Sequence, residues 1–161
     1  MEHLIHPWGP IVAPDSEVLI LGSFPSVKSR EISFFYGHPQ NRFWPMMARI
    51  FEEPVPTTIA EKTDLMLRHR IALWDTIGEC DIVGSSDASV RNARPVDIRR
   101  VTETARIQRV LCNGALSGRL YAKHLQPILD LEAVVMPSTS PANAAWQMDR
   151  LAAAWAAQLL K

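Results

Sequence analysis

The chain has 161 residues, 47% of them hydrophobic and 21% charged, with five Trp and five Phe; this is the size of one domain with a sizeable core, and it excludes the low-hydrophobicity, high-charge class of disordered chains. Seventeen Lys and Arg balance seventeen Asp and Glu, which argues against a protein that coats nucleic acid by charge alone while leaving room for a local basic face. The two cysteines, Cys80 and Cys112, form no CxxC or Cys/His cluster; a zinc ribbon or four-cysteine iron–sulfur site is excluded, and free thiols in a reducing cytoplasm are the simplest reading.

The N-terminal stretch has no basic segment followed by an apolar core, and Pro7, Pro10 and Pro14 break any early helix, so no signal peptide is expected. The first apolar run, Glu17–Leu21, reads as a buried strand. A long loop then leads to a helix from Asn41 to about Phe51, and a second helix runs from about Thr58 to His69, with Thr58 and Glu61 spaced as a capping box. Arg70–Trp74 reads as the next strand, followed by a polar loop from Gly78 to Arg94 and a helix near Pro95–Ala105 with Pro95 at its first position. Arg109–Cys112 is the third strand and runs into a helix from about Ala115 to Leu125. Glu132–Met136 is the fourth; Ser140-Pro141 then signals a helix start, and Met148, Leu151, Trp155 and Leu159 share one face of the final helix. Strands alternating with helices predict an α/β fold, a three-layer α/β/α single domain over residues 1–161 with a central four-stranded parallel sheet. No apolar stretch approaches the ~20 residues of a membrane span, so a soluble, cytoplasmic monomer is expected.

In such sheets ligands sit beyond the carboxyl ends of the strands, so the loops leaving them are where chemistry is sought. Gly22-Ser23-Phe24-Pro25-Ser26 is a tight loop whose hydroxyls suit a phosphate, yet it lacks both the dinucleotide and the P-loop glycine patterns. Ser23 as a hydrolase nucleophile with His38 as base is disfavoured because the G-x-S-x-G elbow is absent. The run from Tyr36 to Trp44 combines a stackable ring, a carboxamide and a cation: Phe43 and Trp44 are expected in the core, while Asn41 opens a helix whose amide groups suit an anion or a polarised water. Asn113, ending an apolar strand before Gly114, is either a loop-capping residue or a carboxamide that matches a base's lactam edge. Pro137–Asn143 places hydroxyls in a stiffened turn, with Ser140 as helix N-cap, and serves either phosphate contact or a plain helix start.

Together Gly22–Ser26, the His38-Pro39-Gln40-Asn41-Arg42-Phe43-Trp44 run, the Gly84–Val90 stretch and the Pro137–Asn143 loop resemble the uracil-DNA glycosylase superfamily, most closely its hypoxanthine-DNA glycosylase branch, in order and across essentially the whole chain. The resemblance implies a four-stranded parallel sheet with flanking helices, no metal or other cofactor, and hydrolysis of the N-glycosidic bond of a damaged base in DNA. It gives Asn41 the positioning of the attacking water, Tyr36 the ring that stacks on the flipped base, and Asn113 the reading of the base edge. Gly22, Ser23 and Phe24 line the base, with Phe24 where uracil-cleaving relatives carry Asp or Asn; Ser26, Ser138, Ser140 and Asn143 contact DNA. Met136 and Thr139 stand where uracil enzymes often have His or Asn and a wedge residue. No lysine occupies these positions, so no Schiff-base lyase step is expected. A uracil or mixed deaminated-base glycosylase, and a non-catalytic nucleic-acid or nucleotide-binding module, are the alternatives.

Overall fold

The computed structural model describes residues 1–161. In chain order its elements are β1 (Glu2–Ile5), β2 (Val18–Gly22), α1 (Val27–Ile32), α2 (Phe43–Ile50), α3 (Ile59–Arg68), β3 (Ile71–Asp75), β4 (Ile77–Ile82), β5 (Arg91–Pro95), α4 (Arg99–Thr102), β6 (Arg109–Asn113), α5 (Ala115–Leu120), α6 (Gln126–Leu129), β7 (Ala133–Met136) and α7 (Met148–Leu159). The four apolar runs form a parallel sheet in the order β3-β2-β6-β7, each strand within a residue or two of its expected place. Every residue of β2 and β3 is buried, as continuous apolar strands covered on both faces must be.

Helix packing follows the apolar stripes. Phe43, Trp44, Met46 and Met47 of α2 are buried beside Leu151 and Trp155 of α7, with the Phe43 and Trp155 rings edge-on at 6.3 Å. Each such side chain contributes roughly 1.5–3 kcal/mol on burial. Both halves of the α3 capping box are present: Glu61 N–H donates to Thr58 Oγ1 at 3.1 Å, and Thr58 N–H donates to the Glu61 carboxylate at 2.9 Å. The Thr58 and Thr57 amides hold that carboxyl down at about 2.

Several expectations are corrected. Residues 78–94 are not a polar loop: β4 and β5 form a hairpin that, with β1, makes a second, antiparallel sheet in the order β1-β4-β5. Ile77, Cys80 and Ile82 turn inward to meet Phe24, and the other face is polar, with His3 bonded to Glu79 and Asp81. Pro95 closes β5 instead of opening a helix, and only Arg99–Thr102 is helical in the stretch expected to run to Ala105. The helix after β6 gives way to a π-turn at Tyr121–Leu125, where the Tyr121 hydroxyl reaches the Leu131 carbonyl at 2.6 Å. Ser140 caps no helix; α7 begins eight residues later, at Met148. Both thiols are buried and unpaired, and burial pushes each up to about 11, which makes them inert.

Candidate active site

Strand register sets the floor of the site. Gly22 pairs with Asp75, Asn113 pairs with Met136, and Leu21 pairs with Cys112, so Asp75, Gly22, Asn113 and Met136 form one row across the carboxyl ends of the sheet. Gly22 is the one residue of that row without a side chain, and a Cβ there would collide with the Asp75 carboxylate and lie 3.0 Å from the Tyr36 hydroxyl. Above the row opens a cleft of about 1050 Å³, lined by every candidate residue: Gly22, Ser23, Phe24, Ser26, Tyr36, Asn41, Asn113, Ser138, Ser140 and Asn143. A separate hollow of about 340 Å³ beside Trp8 and Arg100 contains none of them.

Thr139, fully buried, joins the two carboxamides. The Asn113 Nδ2 group donates to Thr139 Oγ1 at 3.0 Å and to the Tyr36 hydroxyl at 3.1 Å, while Thr139 N–H donates to Asn113 Oδ1 at 3.1 Å. The Thr139 hydroxyl passes its own proton to Asn41 Oδ1 at 3.1 Å, and Phe43 N–H donates to the same oxygen at 2.9 Å. Two consequences follow from counting lone pairs and protons. Asn41 Oδ1 is full, so this amide offers the cleft only its Nδ2 donors. Asn113 has spent both N–H groups and keeps one lone pair. Tyr36, at φ 53°, occupies the left-handed region that ordinary side chains avoid, and its ring stacks on Phe43 with centroids 4.2 Å apart. Burial raises its hydroxyl well above the ordinary phenol value, and the Asp75 charge raises it further; the group stays a protonated donor.

The Pro137–Asn143 loop is built from backbone turns tied down by Arg42. Its Nη2 donates to the carbonyls of Ser140 at 2.8 Å and Asn143 at 3.1 Å, Nε to Thr139 at 3.4 Å, and Nη1 to Trp146. The side chains of Ser138 and Ser140 accept from the amides of Ser140 and Ala142 at 3.1 and 3.2 Å, which leaves each hydroxyl proton free to donate outward. Asn143 Nδ2 donates to the Ser138 carbonyl at 3.0 Å. Arg42→Ala is therefore expected to lower unfolding free energy by about 2–3 kcal/mol, since bonds from a charged donor are worth ~1.5–3 kcal/mol; a denaturant midpoint equal to wild type overturns this reading of Arg42.

The opposite wall is the Gly22–Ser26 loop. Phe24 is buried against β4 and meets the His6 ring edge-on at 5.9 Å. Ser26 caps α1, accepting from Ser29 N–H and donating to Ser29 Oγ, each at 3.1 Å. Ser23 Oγ donates to the Asp87 carboxylate at 2.9 Å.

Sequence reasoning missed two carboxylates, Asp75 and Asp87, the only acidic residues lining the cleft. Asp75 Oδ2 lies 2.7 Å from His6 Nε2, both side chains nearly buried. Trp8 N–H donates to His6 Nδ1 at 3.3 Å, so that nitrogen carries a lone pair and Nε2 carries the proton given to Asp75. The other oxygen of Asp75 faces Gly22.

Comparison with known proteins agrees with this architecture. A family model described as the uracil DNA glycosylase superfamily matches residues 10–159. A protein from Methanosarcina acetivorans named hypoxanthine DNA glycosylase is 31% identical, covering 87% of this chain and 89% of its own length. One of the same name from Methanosarcina barkeri is 29% identical over 83% of this chain and 85% of its own. A solution structure from Methanosarcina acetivorans, described as a candidate uracil DNA glycosylase, superposes with a TM-score of 0.81 at 27% identity, covering 97% of both chains.

Proposed function

The chain belongs to the uracil DNA glycosylase superfamily and is a DNA N-glycosylase, and from that premise we propose that it hydrolyses the N-glycosidic bond of hypoxanthine flipped out of DNA, leaving an abasic site. One observation carries the choice of a lactam edge over that of adenine: over Gly22, a protonated hydroxyl on Tyr36 and a carboxylate oxygen on Asp75 converge on one space. A lactam edge offers that pair its complement, an O6 acceptor for the hydroxyl and an N1–H for the carboxylate. Adenine offers a bare N1 lone pair to the carboxylate, which has no proton to return. The names of the Methanosarcina relatives support the purine. Uracil presents the same edge, and a mixed deaminated-base activity is the second reading.

The remaining roles follow from the bonds available. Asn113, committed to Tyr36 and Thr139, holds the Tyr36 hydroxyl in place and keeps one lone pair for the base. Asn41 donates from Nδ2 to the oxygen of the attacking water. Ser138 and Ser140 donate their free protons to phosphates flanking the lesion, and Asn143 braces that loop. The base leaves the stack most cheaply at a poorly paired lesion, and bond breaking passes through an oxocarbenium-like state that two nearby carboxylates suit electrostatically.

The test is single-turnover cleavage of end-labelled duplexes carrying one hypoxanthine, one uracil or only normal bases, developed with alkali. Hypoxanthine is expected to be cut fastest and adenine left intact; a preference for uracil reverses the assignment. Cleavage is expected to persist in excess EDTA, because no three His, Cys, Asp or Glu side chains gather as a ligand set. Activity lost to chelator and restored by a divalent ion contradicts the metal-free part of the reading.

A further inference from the structure

The Gly84–Val90 stretch contributes a carboxylate to the cleft, and none of the roles above gives it a proton to take. We propose that Asp87, on the loop between β4 and β5, is the general base that takes the proton of the attacking water; this rests on the glycosylase reading above.

Three other groups lining the cleft are unable to take that proton. Asn41 is an amide whose oxygen already accepts two hydrogen bonds, so it holds a water without accepting its proton. His38 accepts the Gln40 amide at Nδ1, 3.1 Å away, which places the ring proton on Nε2 and leaves no free lone pair. The Asp75 carboxylate lies at the floor, with one oxygen on His6 and the other over Gly22, where the base is read. Asp87 remains. Ser23 occupies its Oδ1, and Oδ2 has no partner within the protein.

The loop that carries Asp87 is fixed, as a general base requires. Val27 N–H donates to Ser85 Oγ at 3.0 Å, Arg30 donates to the Gly84 carbonyl at 2.9 Å, and Val83 N–H donates to Ser89 Oγ at 2.8 Å. These bonds tie the loop to α1 and to the end of β4, and the Ser23 bond holds Asp87 against the Gly22–Ser26 loop. Asp87 as a residue is exposed, yet desolvation of its carboxyl raises it above the ordinary value and the Asp75 charge adds to this, while the Ser23 bond and Arg119 oppose it. Tyr36 and Cys80 also feel its charge, Arg30 of α1 reaches the loop at the Gly84 carbonyl, and Arg91 donates to the Ala88 and Val90 carbonyls beside it. A carboxylate displaced towards neutrality is a better proton acceptor at working pH.

The step balances with water alone. As the C1′–N9 bond breaks, its electron pair leaves on the purine. The water oxygen bonds to C1′, and one water proton passes to Asp87 Oδ2. The purine anion takes a proton from solvent and Asp87 returns its own to solvent, so one water is consumed and nothing is oxidised or reduced.

The experiment is the pH dependence of single-turnover cleavage of a hypoxanthine duplex by wild type, Asp87→Asn, Asp87→Glu and Ser23→Ala, with duplex affinity measured alongside. Wild type is expected to gain rate as pH rises through one titration lying above the ordinary carboxylate range, then to level. Asp87→Asn is expected to lose that limb and ~10²–10³ of the plateau rate with affinity unchanged, and Asp87→Glu to restore the limb at part of the rate. Ser23→Ala, which removes a bond favouring the charged form, is expected to move the limb to higher pH, a readout that stands even if Asp87→Asn folds poorly. An Asp87→Asn variant that keeps the limb or cuts within a few-fold of wild type overturns the proposal while the glycosylase reading stands; so does an unmoved limb in Ser23→Ala. Wild type that cleaves neither hypoxanthine nor uracil overturns both.

Discussion

Replacing Asn41 with alanine is expected to slow single-turnover cleavage by roughly 10²–10³, the usual cost of removing a preorganised polar group at a reacting centre. The amide is unusually well fixed. Its oxygen is held by the first backbone amide of α2 and by the Thr139 hydroxyl, which is itself braced by Asn113, so Nδ2 is aimed into the cleft before substrate arrives. Losing the oxygen also leaves the Phe43 amide uncapped, a cost of about 1 kcal/mol, which lowers the melting temperature without unfolding the chain. Asn41→Asp separates the two functions. It keeps the acceptor for Phe43 and Thr139 and replaces only the NH2 donor, so it is expected to be as slow as Asn41→Ala and nearly as stable as wild type. A fast Asn41→Asp enzyme shows that the side chain acts by accepting, and the donor role fails.

What the sequence disclosed and what it withheld have separate physical origins. The parallel strands were legible because each is buried on both faces and so reads as an unbroken apolar run; α3 was legible because Thr58 and Glu61 satisfy each other's amides within one turn. The β1-β4-β5 sheet was not, because β5 is Arg91-Asn92-Ala93-Arg94-Pro95 and mostly exposed, while the pairing of β4 with β5 shifts register twice. Its strands are held by partners distant in sequence, such as His3 with Asp81, and no local periodicity records them. Ser140-Pro141 imitates a helix start because an N-cap and a serine turn use the same side-chain bond to a nearby amide; here that bond closes a turn under Arg42.

The site was legible to the extent that its residues lie in tight, unusual loops. Asn41 and Asn113 stand out as carboxamides at element ends, and the structure joins them through Thr139. Asp75 gave no such signal. It is the last residue of an apolar strand, its partner His6 is 69 positions upstream, and what leaves its second oxygen facing the cleft is the absence of a side chain on Gly22 in the neighbouring strand. The register of β2 with β3 sets Gly22 beside Asp75, and the pairing of β1 with β4 carries His6 to them.

The change expected to alter specificity most is Asp75→Asn. The variant is nearly isosteric, and its Oδ1 can still accept the Nε2 proton of His6, because Trp8 N–H fixes the opposite tautomer on the other ring nitrogen. The His6 bond and the surrounding rings of Trp8, Phe24 and Trp74 therefore survive. What changes is the atom over Gly22, where an acceptor becomes an NH2 donor. Hypoxanthine then meets donor against donor at N1–H, whereas adenine finds a partner for its bare N1. A well-held base contact is worth roughly 1–3 kcal/mol, so hypoxanthine cleavage is expected to fall by about 10–100-fold, and the hypoxanthine-to-adenine ratio to narrow by more than either rate changes alone. Rotating the amide does not rescue the variant, because it sets an NH2 donor against the His6 proton in a nearly buried contact, where an unmatched polar group is costly. The check is single-turnover cleavage of matched hypoxanthine and adenine duplexes by both proteins, with melting curves to show that the His6 contact is kept. If Asp75→Asn folds as well as wild type and preserves the wild-type ratio, Asp75 does not touch the base, and its pairing with His6 is structural alone.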